Sequence, residues 1–256
     1  MYQKNDYIAV FDSGVGGISV LRQLTKLLPN ERFLYYGDSA NAPYGSRSTE
    51  AVRKLTLEAA DKILCKPVKA LVVACNTATA AAIEDLRQAH PDLIVIGIEP
   101  ALKLAADRFP GKGIGVMATD VTLREEKFDA LLHRTAHDQP IYKIPAPGLV
   151  QLIEAGKADS SETEQLLSQI LTPYKNKIDV LVLGCTHFPF VRAAIRRVLG
   201  DAVVLLDGGE GTARETKRRL ALAGLLSDGA GEITWQNSSS DPANAMLCKQ
   251  LFAQGE

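Results

Sequence analysis

Short runs rich in Val, Ile and Leu alternate along this chain with longer amphipathic or alanine-rich segments. Runs that are apolar throughout are typical of parallel strands, because a parallel sheet is covered on both of its faces. Helical segments fall between most of the runs, which predicts βα units and an α/β class with mostly parallel sheets. The eight predicted strands are residues 8–11, 32–37, 70–74, 93–98, 113–118, 141–145, 180–184 and 202–207.

Two stretches of the chain repeat the same order of features. ALVVACNTATAAAIEDLRQAHPDLIVIGIEPA (70–101) and DVLVLGCTHFPFVRAAIRRVLGDAVVLLDGGE (179–210) each pass from an apolar strand through a cysteine to a helix with arginine, then to another apolar strand. Cys75 and Cys185 occupy equivalent positions in these stretches. Any two βα units look somewhat alike, so the matching cysteines favour duplication more than the apolar pattern does.

A second similarity, upstream of the cysteines, supports the duplication. YIAVFDSG (7–14) resembles GIGVMATD (113–120), and the distance to the following cysteine is 63 residues from Asp12 and 67 from Ala118. We therefore predict two similar α/β lobes related by a pseudo-twofold axis, with the active site in the cleft between them, because ligands of open parallel sheets bind at the carboxyl edge. The predicted lobes are residues 1–98 plus 208–256, and residues 99–207.

Each of the two cysteines precedes a predicted helix. Cys75 is followed by Asn76 and Thr77, which are natural N-cap residues. After Cys185, Pro189 suits the first position of a helix. Exposed N–H groups at a helix N-terminus favour a thiolate, so we expect both thiols to have a lowered pKa. The alternative is a buried structural cysteine, the commonest fate of this residue type.

His187 lies two residues beyond Cys185 and is a candidate to hold or relay the proton of that thiol. The alternative is a surface or capping histidine. The Cys-x-His pair is also compatible with zinc, but the chain offers too few matched ligands for a closed structural site. We therefore expect no metal.

The segment FDSGVGG (11–17) follows the first predicted strand and precedes a helix. It does not fit a dinucleotide-binding loop, because Ser19 stands where the third glycine of G-x-G-x-x-G belongs. Its backbone N–H groups and the Ser13 hydroxyl could hold an anion such as a carboxylate. Asp12 could meet an ammonium group or position a thiol; the alternative is a role in the turn alone.

The polar connection GDSANAPYGSRS (37–48) follows another strand end, and loops at this edge of a sheet tend to carry function. Tyr44 and the backbone of Gly45 could contact a ligand, although an ordinary well-capped loop would have the same composition. Asp38 is similarly open to either interpretation.

The charge and the cysteine spacing limit the partners and the compartment. With 29 basic and 30 acidic residues, the net charge of −1 predicts neither a nucleic-acid nor a membrane partner, so the ligand is expected to be a small molecule. No apolar run reaches a membrane span, and MYQKNDY lacks the features of a signal peptide, which predicts a cytoplasmic protein. The four cysteines form no CxxC pair and are expected to be free thiols.

Two equivalent thiols from mirrored lobes indicate a reaction that needs both. A cysteine phosphatase requires arginine six residues after the nucleophile, whereas Arg192 is seven after Cys185. A papain-like enzyme would leave Cys75 without a role. Two thiols on opposite faces of a planar carbanion could instead remove a proton from one face and deliver one to the other, inverting a stereocentre. Without a pyridoxal-phosphate lysine motif or a metal cluster, such catalysis depends on a closed, dry cleft with positioned donors.

Four segments carry a resemblance to a known family. FDSGVGG (11–17), YYGDSANAPYGSRS (35–48), VACNTATA (73–80) and LGCTHFP (183–189) resemble the signatures of the glutamate racemases, which are cofactor-independent members of the aspartate/glutamate racemase family. The resemblance covers nearly the whole chain in the right order. It implies interconversion of L- and D-glutamate by a cytoplasmic homodimer that uses no cofactor and supplies D-glutamate for peptidoglycan.

The resemblance also implies roles for particular residues. Cys75 and Cys185 match the two catalytic thiols, and His187 and Asp12 match residues that assist them. Glu154 matches a further acidic residue of the family's cleft, in a weaker local context that also fits a solvated helix residue. The residues that match contacts to the substrate are Asp12, Ser13, Tyr44, Gly45, Asn76, Thr77, Thr186 and His187. The segment ATDVTLREEKF (118–128) follows the family only loosely, and no residue is assigned from it.

Other functions remain open from the sequence. A relative could act on aspartate or another substrate, or be a one-cysteine decarboxylase, which the presence of both Cys75 and Cys185 disfavours. A protein that binds a small acid between its lobes, with inert cysteines, is the alternative outside enzymes. The turn-rich, polar tail SDGAGEITWQNSSSDP (227–242) is expected to be loosely ordered.

Overall fold

The computed structural model describes residues 2–124, 130, 132, 135 and 139–254. Its strands are β1 (Tyr7–Asp12), β2 (Arg32–Gly37), β3 (Val68–Val73), β4 (Ile94–Gly97), β5 (Ile114–Ala118), β6 (Ile141–Pro145), β7 (Val180–Leu183), β8 (Val204–Asp207) and β9 (Glu232–Asn237). Its helices are α1 (Ile18–Leu27), α2 (Thr49–Leu64), α3 (Asn76–Ala89), α4 (Leu102–Arg108), α5 (Asp120–Arg124), α6 (Leu149–Glu154), α7 (Ser161–Leu171), α8 (Arg192–Leu199), α9 (Gly209–Leu222) and α10 (Pro242–Ala253).

The described strands form two sheets in which every pair is parallel. One sheet has the order β4-β3-β1-β2-β9 and the other has the order β6-β5-β7-β8. The prediction of an α/β fold with two parallel sheets is therefore confirmed, and all eight predicted strands are present. Continuous apolar runs identified the strands because helices cover both faces of each sheet, which requires apolar residues on both sides.

The two sheets share one strand order, apart from an additional strand at one edge. When β1 to β4 are matched with β5 to β8, the order β4-β3-β1-β2 corresponds to β8-β7-β5-β6. In both sheets the first strand therefore lies between the second and the third, and the third strand leads to the cysteine. This common topology is what a duplicated βα unit produces.

The core of the first sheet is divided between its two faces by the alternation of side chains in each strand. In β1, Ile8 and Val10 pack with residues of α1, whereas Ala9 and Phe11 pack with residues of α2 and α3. Burial on both sides leaves the carboxyl edge as the place where polar groups can gather. None of the helices within the described residues has the length and apolar character required to cross a membrane.

The expectation of a loosely ordered tail is wrong for the part that forms β9. This strand pairs in parallel with all of β2, from Arg32 opposite Glu232 to Gly37 opposite Asn237. The Trp235 ring lies 5.8 Å from the Tyr35 ring, which anchors the strand to the core. The polar residues around the strand concealed it in the sequence, because an edge strand is stabilised by a partner that local composition does not reveal.

A buried ion pair holds the segment before β9 at the other end of this sheet, where the strands β2 and β3 begin. Lys69 and Glu31 are almost fully buried, and Lys69 Nζ donates to Glu31 Oε2 at 2.6 Å. Lys69 also donates to the carbonyl oxygen of Leu225 at 3.0 Å, and the N–H of Ser227 donates to Glu31 Oε1 at 2.9 Å. These bonds hold the segment before β9 against the sheet, since a buried charge requires such partners.

Candidate active site

The carboxyl ends of three central strands carry the residues on which the functional prediction depends. Asp12 is the last residue of β1, Cys75 lies two residues beyond β3, and Cys185 lies two residues beyond β7. All three side chains are buried, with 0%, 5% and 7% of their surface exposed, respectively. The structure therefore brings one thiol from each sheet to an edge that also holds a buried carboxyl group.

Cys75 is the N-cap of α3 and has two polar neighbours. The N–H of Ala78 donates to its sulfur at 3.4 Å, and its Sγ lies 3.5 Å from the hydroxyl oxygen of Ser13. Burial raises the pKa of the Cys75 thiol to about 12, the charge of Asp12 adds to this rise, and the bonds to Ser13 and Ala78 oppose it. The expectation of a lowered pKa is therefore wrong for Cys75, because desolvation outweighs the helix N-terminus.

Cys185 has an imidazole as its neighbour instead of a hydroxyl group. Its Sγ lies 3.6 Å from His187 Nδ1, and His187 Nε2 lies 2.6 Å from Glu154 Oε1. Burial lowers the pKa of His187, but the hydrogen bonds and charges of Cys185 and Glu154 outweigh burial and hold that pKa well above its ordinary value. The result is a thiol, an imidazole and a carboxylate in series.

The local structure after Cys185 differs from the prediction of an immediate α-helix. A 3-10 helix spans Phe188–Val191, and α8 begins only at Arg192. The N–H of Phe188 donates to the carbonyl oxygen of Cys185 at 3.1 Å, which closes this tighter turn. The two cysteines therefore match in sequence position but not in helix geometry.

Asp12 connects the two halves of the site. Its carboxylate accepts from the N–H of Gly14 at 3.0 Å and from the hydroxyl group of Thr186 at 2.9 Å. Burial raises the pKa of Asp12, while the positive charge of His187 and both of these hydrogen bonds act in the opposite direction. Asp12 thus lies in the first sheet and bonds to a residue that follows the second.

The glycine-rich turn after β1 allows an unusually close approach between segments. A Cβ atom on Gly14 would lie 1.9 Å from Glu154 Oε1, and one on Gly16 would lie 2.4 Å from Thr186 Oγ1. The N–H of Val15 donates to Glu154 Oε1 at 2.9 Å. The turn does hold carboxylates, as the sequence suggested for an anion, but in this structure they are the protein's own Asp12 and Glu154.

The polar loop after β2 packs against the first half of the site. The Tyr44 hydroxyl group donates to Asp38 Oδ2 at 2.6 Å, and both side chains are almost fully buried. Burial raises the pKa of Tyr44, and the bond to Asp38 adds to the rise, so this hydroxyl group remains a donor. A Cβ atom on Gly45 would lie 2.7 Å from Thr119, and the N–H of Asp38 donates to the carbonyl oxygen of Asp12 at 2.9 Å.

Three buried threonines form a hydroxyl cluster that the sequence analysis did not find. Thr77 Oγ1 lies 3.2 Å from that of Thr119 and 3.3 Å from that of Thr122, and these last two are 3.0 Å apart. Thr119 follows β5 as Ser13 follows β1. This equivalence in the sequence could have indicated Thr119 as a site residue. Asn76, next to Thr77, has a buried side-chain oxygen with no hydrogen-bond partner among the described residues.

All the candidate site residues named from the sequence lie at this edge. They are linked by the contacts given above or are direct neighbours in the chain. Within the described part of the chain, no group of three or more His, Cys, Asp or Glu side chains is arranged to hold a metal ion. A separate cavity of about 1070 Å³ is lined by other residues, among them Glu99, Arg192 and Asp207, and none of the nominated residues lines it.

The fold and this cluster define a class: a duplicated, two-lobed parallel α/β protein that gathers one thiol from each sheet with a histidine and buried carboxyl groups. The family model for the Asp/Glu/hydantoin racemases matches residues 13–216. The chain belongs to this racemase family and is an isomerase.

Individual relatives agree with this assignment over nearly the full length. The glutamate racemase of Clostridium botulinum (strain Alaska E43 / Type E3) is 45% identical over 256 residues, which is 98% of this chain and 99% of the relative. The solved glutamate racemase isoform RacE1 of Bacillus anthracis superposes with a TM-score of 0.89 at 32% identity, covering 98% and 96% of the two chains. The Francisella tularensis glutamate racemase, solved with D-glutamate, has a TM-score of 0.86 at 27% identity, covering 98% and 95%.

Proposed function

We propose that this protein is a glutamate racemase that interconverts L- and D-glutamate by a two-base mechanism, with Cys75 and Cys185 as the bases and no bound cofactor. The observation that carries the proposal is the pair of buried thiols, one from each sheet, gathered at one edge with separate polar partners. The relatives named above support glutamate as the substrate.

In this proposal the two thiols face opposite sides of the substrate α-carbon. One cysteine, as thiolate, takes the proton from the α-carbon and becomes a thiol, and the C–H electron pair remains on a planar carbanion. The other cysteine, as thiol, gives its proton to the opposite face and becomes a thiolate. No atom is gained or lost, and the two directions exchange the roles of acid and base.

The burial that raises the pKa of Cys75 suits this task. An amino-acid α-proton is very weakly acidic, and a desolvated thiolate is a stronger base than one in water. The thiolate form therefore needs help, which we assign to Asp12 and His187. Burial raises the pKa of Asp12, and its charge acts on Cys75, while His187 Nδ1 lies 3.6 Å from Cys185 Sγ. Glu154 and Asp38 support His187 and Tyr44 in this scheme.

Substrate contacts are assigned to the polar groups that surround the thiols. The unpartnered oxygen of Asn76 is an acceptor that fits the substrate ammonium group. The hydroxyl groups of Thr77, Thr119 and Thr122 are donors that fit a carboxylate. The same proposal gives contacts to Ser13, Tyr44, Gly45 and Thr186.

The wider setting is part of the proposal. A cytoplasmic homodimer that supplies D-glutamate for peptidoglycan is consistent with the family and with the free thiols of the described chain. We place the boundaries between the lobes as predicted from the sequence, and the membership of the sheets supports them: β1 to β4 with β9 in one lobe, and β5 to β8 in the other.

The direct test is to incubate the protein with L-glutamate in deuterated water. We expect loss of optical rotation together with incorporation of deuterium at the α-carbon. An intact fold with neither change would disprove the racemase proposal. A parallel incubation with L-aspartate decides the length of the substrate, since faster turnover of aspartate would reassign the substrate but leave the chemistry unchanged.

A further inference from the structure

Tyr35 has a buried hydroxyl group beneath the glycine-rich turn. It begins the motif YYGDSANAPYGSRS, but neither the sequence analysis nor the proposed mechanism gives it a role. Its side chain is fully buried in β2, and its hydroxyl group donates to the carbonyl oxygen of Gly14 at 2.7 Å. A buried tyrosine whose hydroxyl group donates to a loop carbonyl constrains that loop, because a buried hydroxyl group without a partner costs free energy.

The bond to Gly14 also fixes the next N–H group. The carbonyl of Gly14 and the N–H of Val15 belong to one planar peptide unit, so holding the oxygen orients the hydrogen on the other side. That N–H donates to Glu154 Oε1, the same oxygen that lies 2.6 Å from His187 Nε2. A continuous path thus leads from Tyr35 through one peptide to the carboxylate that supports the imidazole beside Cys185.

The ring of Tyr35 is itself held firmly. Trp235 of the edge strand β9 packs against it at 5.8 Å between ring centroids. A Cβ atom on Gly17 would lie 3.2 Å from the Tyr35 ring, so the turn and the ring are in close contact. Burial raises the pKa of Tyr35 well above 10, and the charge of Asp12 adds to this effect, so the hydroxyl group stays protonated and acts as a donor.

We propose that Tyr35 is a positioning residue, whose hydroxyl group sets the Gly14–Val15 peptide so that Glu154 is held against His187. The proposal rests on the racemase function given above and extends it to a residue that does not touch the substrate. It also gives the tail strand β9 a role, because Trp235 keeps the Tyr35 ring in place.

The test compares Tyr35→Phe with Tyr36→Phe. Tyr36 is the next residue of β2, is also a buried residue, and points to the other face of the sheet, so it controls for the loss of a tyrosine hydroxyl group from this strand. We expect Tyr35→Phe to lower kcat by about three- to tenfold, the effect of one lost hydrogen bond, with KM changed by less than about twofold. Tyr36→Phe should change neither constant.

The pH profile separates positioning from a general loss of stability. Without an oriented Val15 N–H, Glu154 is no longer held against His187, and the pKa of His187 loses part of what raises it. The pH limb of kcat on which His187 must keep its proton should therefore move to lower pH in Tyr35→Phe. A purely structural role would lower the melting temperature and leave this limb unmoved. If the variant is unstable, the assay is made at a temperature where its circular dichroism matches that of the parent.

A double-mutant cycle gives the decisive measurement. If Tyr35 acts through Glu154, the loss caused by Tyr35→Phe should largely disappear in a Glu154→Gln background. Additive losses, or a kcat and a His187 limb in Tyr35→Phe equal to those of the parent, would overturn the inference. An inactive parent enzyme would instead reject the racemase function, so the two failures are distinguishable.

Discussion

The two cysteines occupy equivalent places in a duplicated fold, yet their surroundings differ. Cys75 caps an α-helix and has a serine hydroxyl group and an amide as neighbours. Cys185 precedes a 3-10 helix and adjoins an imidazole that is backed by a carboxylate. The two lobes repeat the position of the thiol, but the polar groups beside the thiol differ between them.

The difference arises one and two residues beyond each cysteine. Asn76 and Thr77 in the first half correspond to Thr186 and His187 in the second. Likewise Asp12 at the end of β1 corresponds to Ala118 at the end of β5, so the first sheet alone supplies this carboxyl group. Duplication fixes where strands end, whereas side chains just beyond them are free to diverge because they do not support the core.

The largest effect is expected when one thiol of the pair is removed at a time. Cys75→Ala and Cys185→Ala should each reduce racemisation by at least about a thousandfold, since the proton has no donor or no acceptor on one face. Each variant should still exchange the α-proton of one glutamate enantiomer in deuterated water, and the two variants should retain opposite enantiomers. Proton NMR of both enantiomers measures this exchange.

The control for these variants is Cys65→Ala, because Cys65 is exposed and lies at the end of α2. Its turnover should equal that of the parent. Retention of near-normal racemisation by either active-site variant would show that one base is sufficient.

An intermediate effect on kcat is expected from a substitution beside His187, in the half of the site that contains Cys185. Glu154→Gln removes a partner that raises the pKa of His187, so that pKa should fall. A pH-rate limb on which His187 must keep its proton then moves to lower pH, and kcat should fall by about tenfold or more. Measuring kcat against pH tests this shift.

Glu164→Gln is the matched control for this substitution. Glu164 pairs with Arg197 on an exposed helix surface, where an ion pair contributes little. An unmoved limb in Glu154→Gln, equal to that of the control, would show that the carboxylate does not govern His187.

The smallest effect is expected from the neighbour of the other thiol. Ser13→Ala removes a hydrogen bond that lowers the pKa of Cys75, so this pKa should rise further and kcat should fall by about three- to tenfold. The rate of Cys75 alkylation against pH reports the shift, with Ser168→Ala at an exposed position of α7 as the control. A faster alkylation at neutral pH would contradict the assigned role of Ser13.

Much of the fold was predictable because its signals are local. Strands buried on both faces must be apolar throughout, and this alone located β1 to β8. The edge strand β9 was missed because its stability comes from β2 and from Trp235 against Tyr35, which are partners more than a hundred residues apart in the chain. Asp12, Cys75 and Cys185 were predicted as site residues because they lie at or just beyond strand ends, where parallel sheets place polar groups.

The sequence by itself determined the two-sheet α/β architecture, the matched positions of Cys75 and Cys185, and the family. Only the tertiary structure decided the environment of each thiol. Burial raises the pKa of Cys75, although its position at a helix N-terminus had indicated a lower pKa. The tertiary structure also revealed the threonine cluster and the bond from Tyr35 to Gly14. The physical reason is that desolvation and hydrogen bonding depend on groups brought together from distant parts of the chain, which no local pattern encodes.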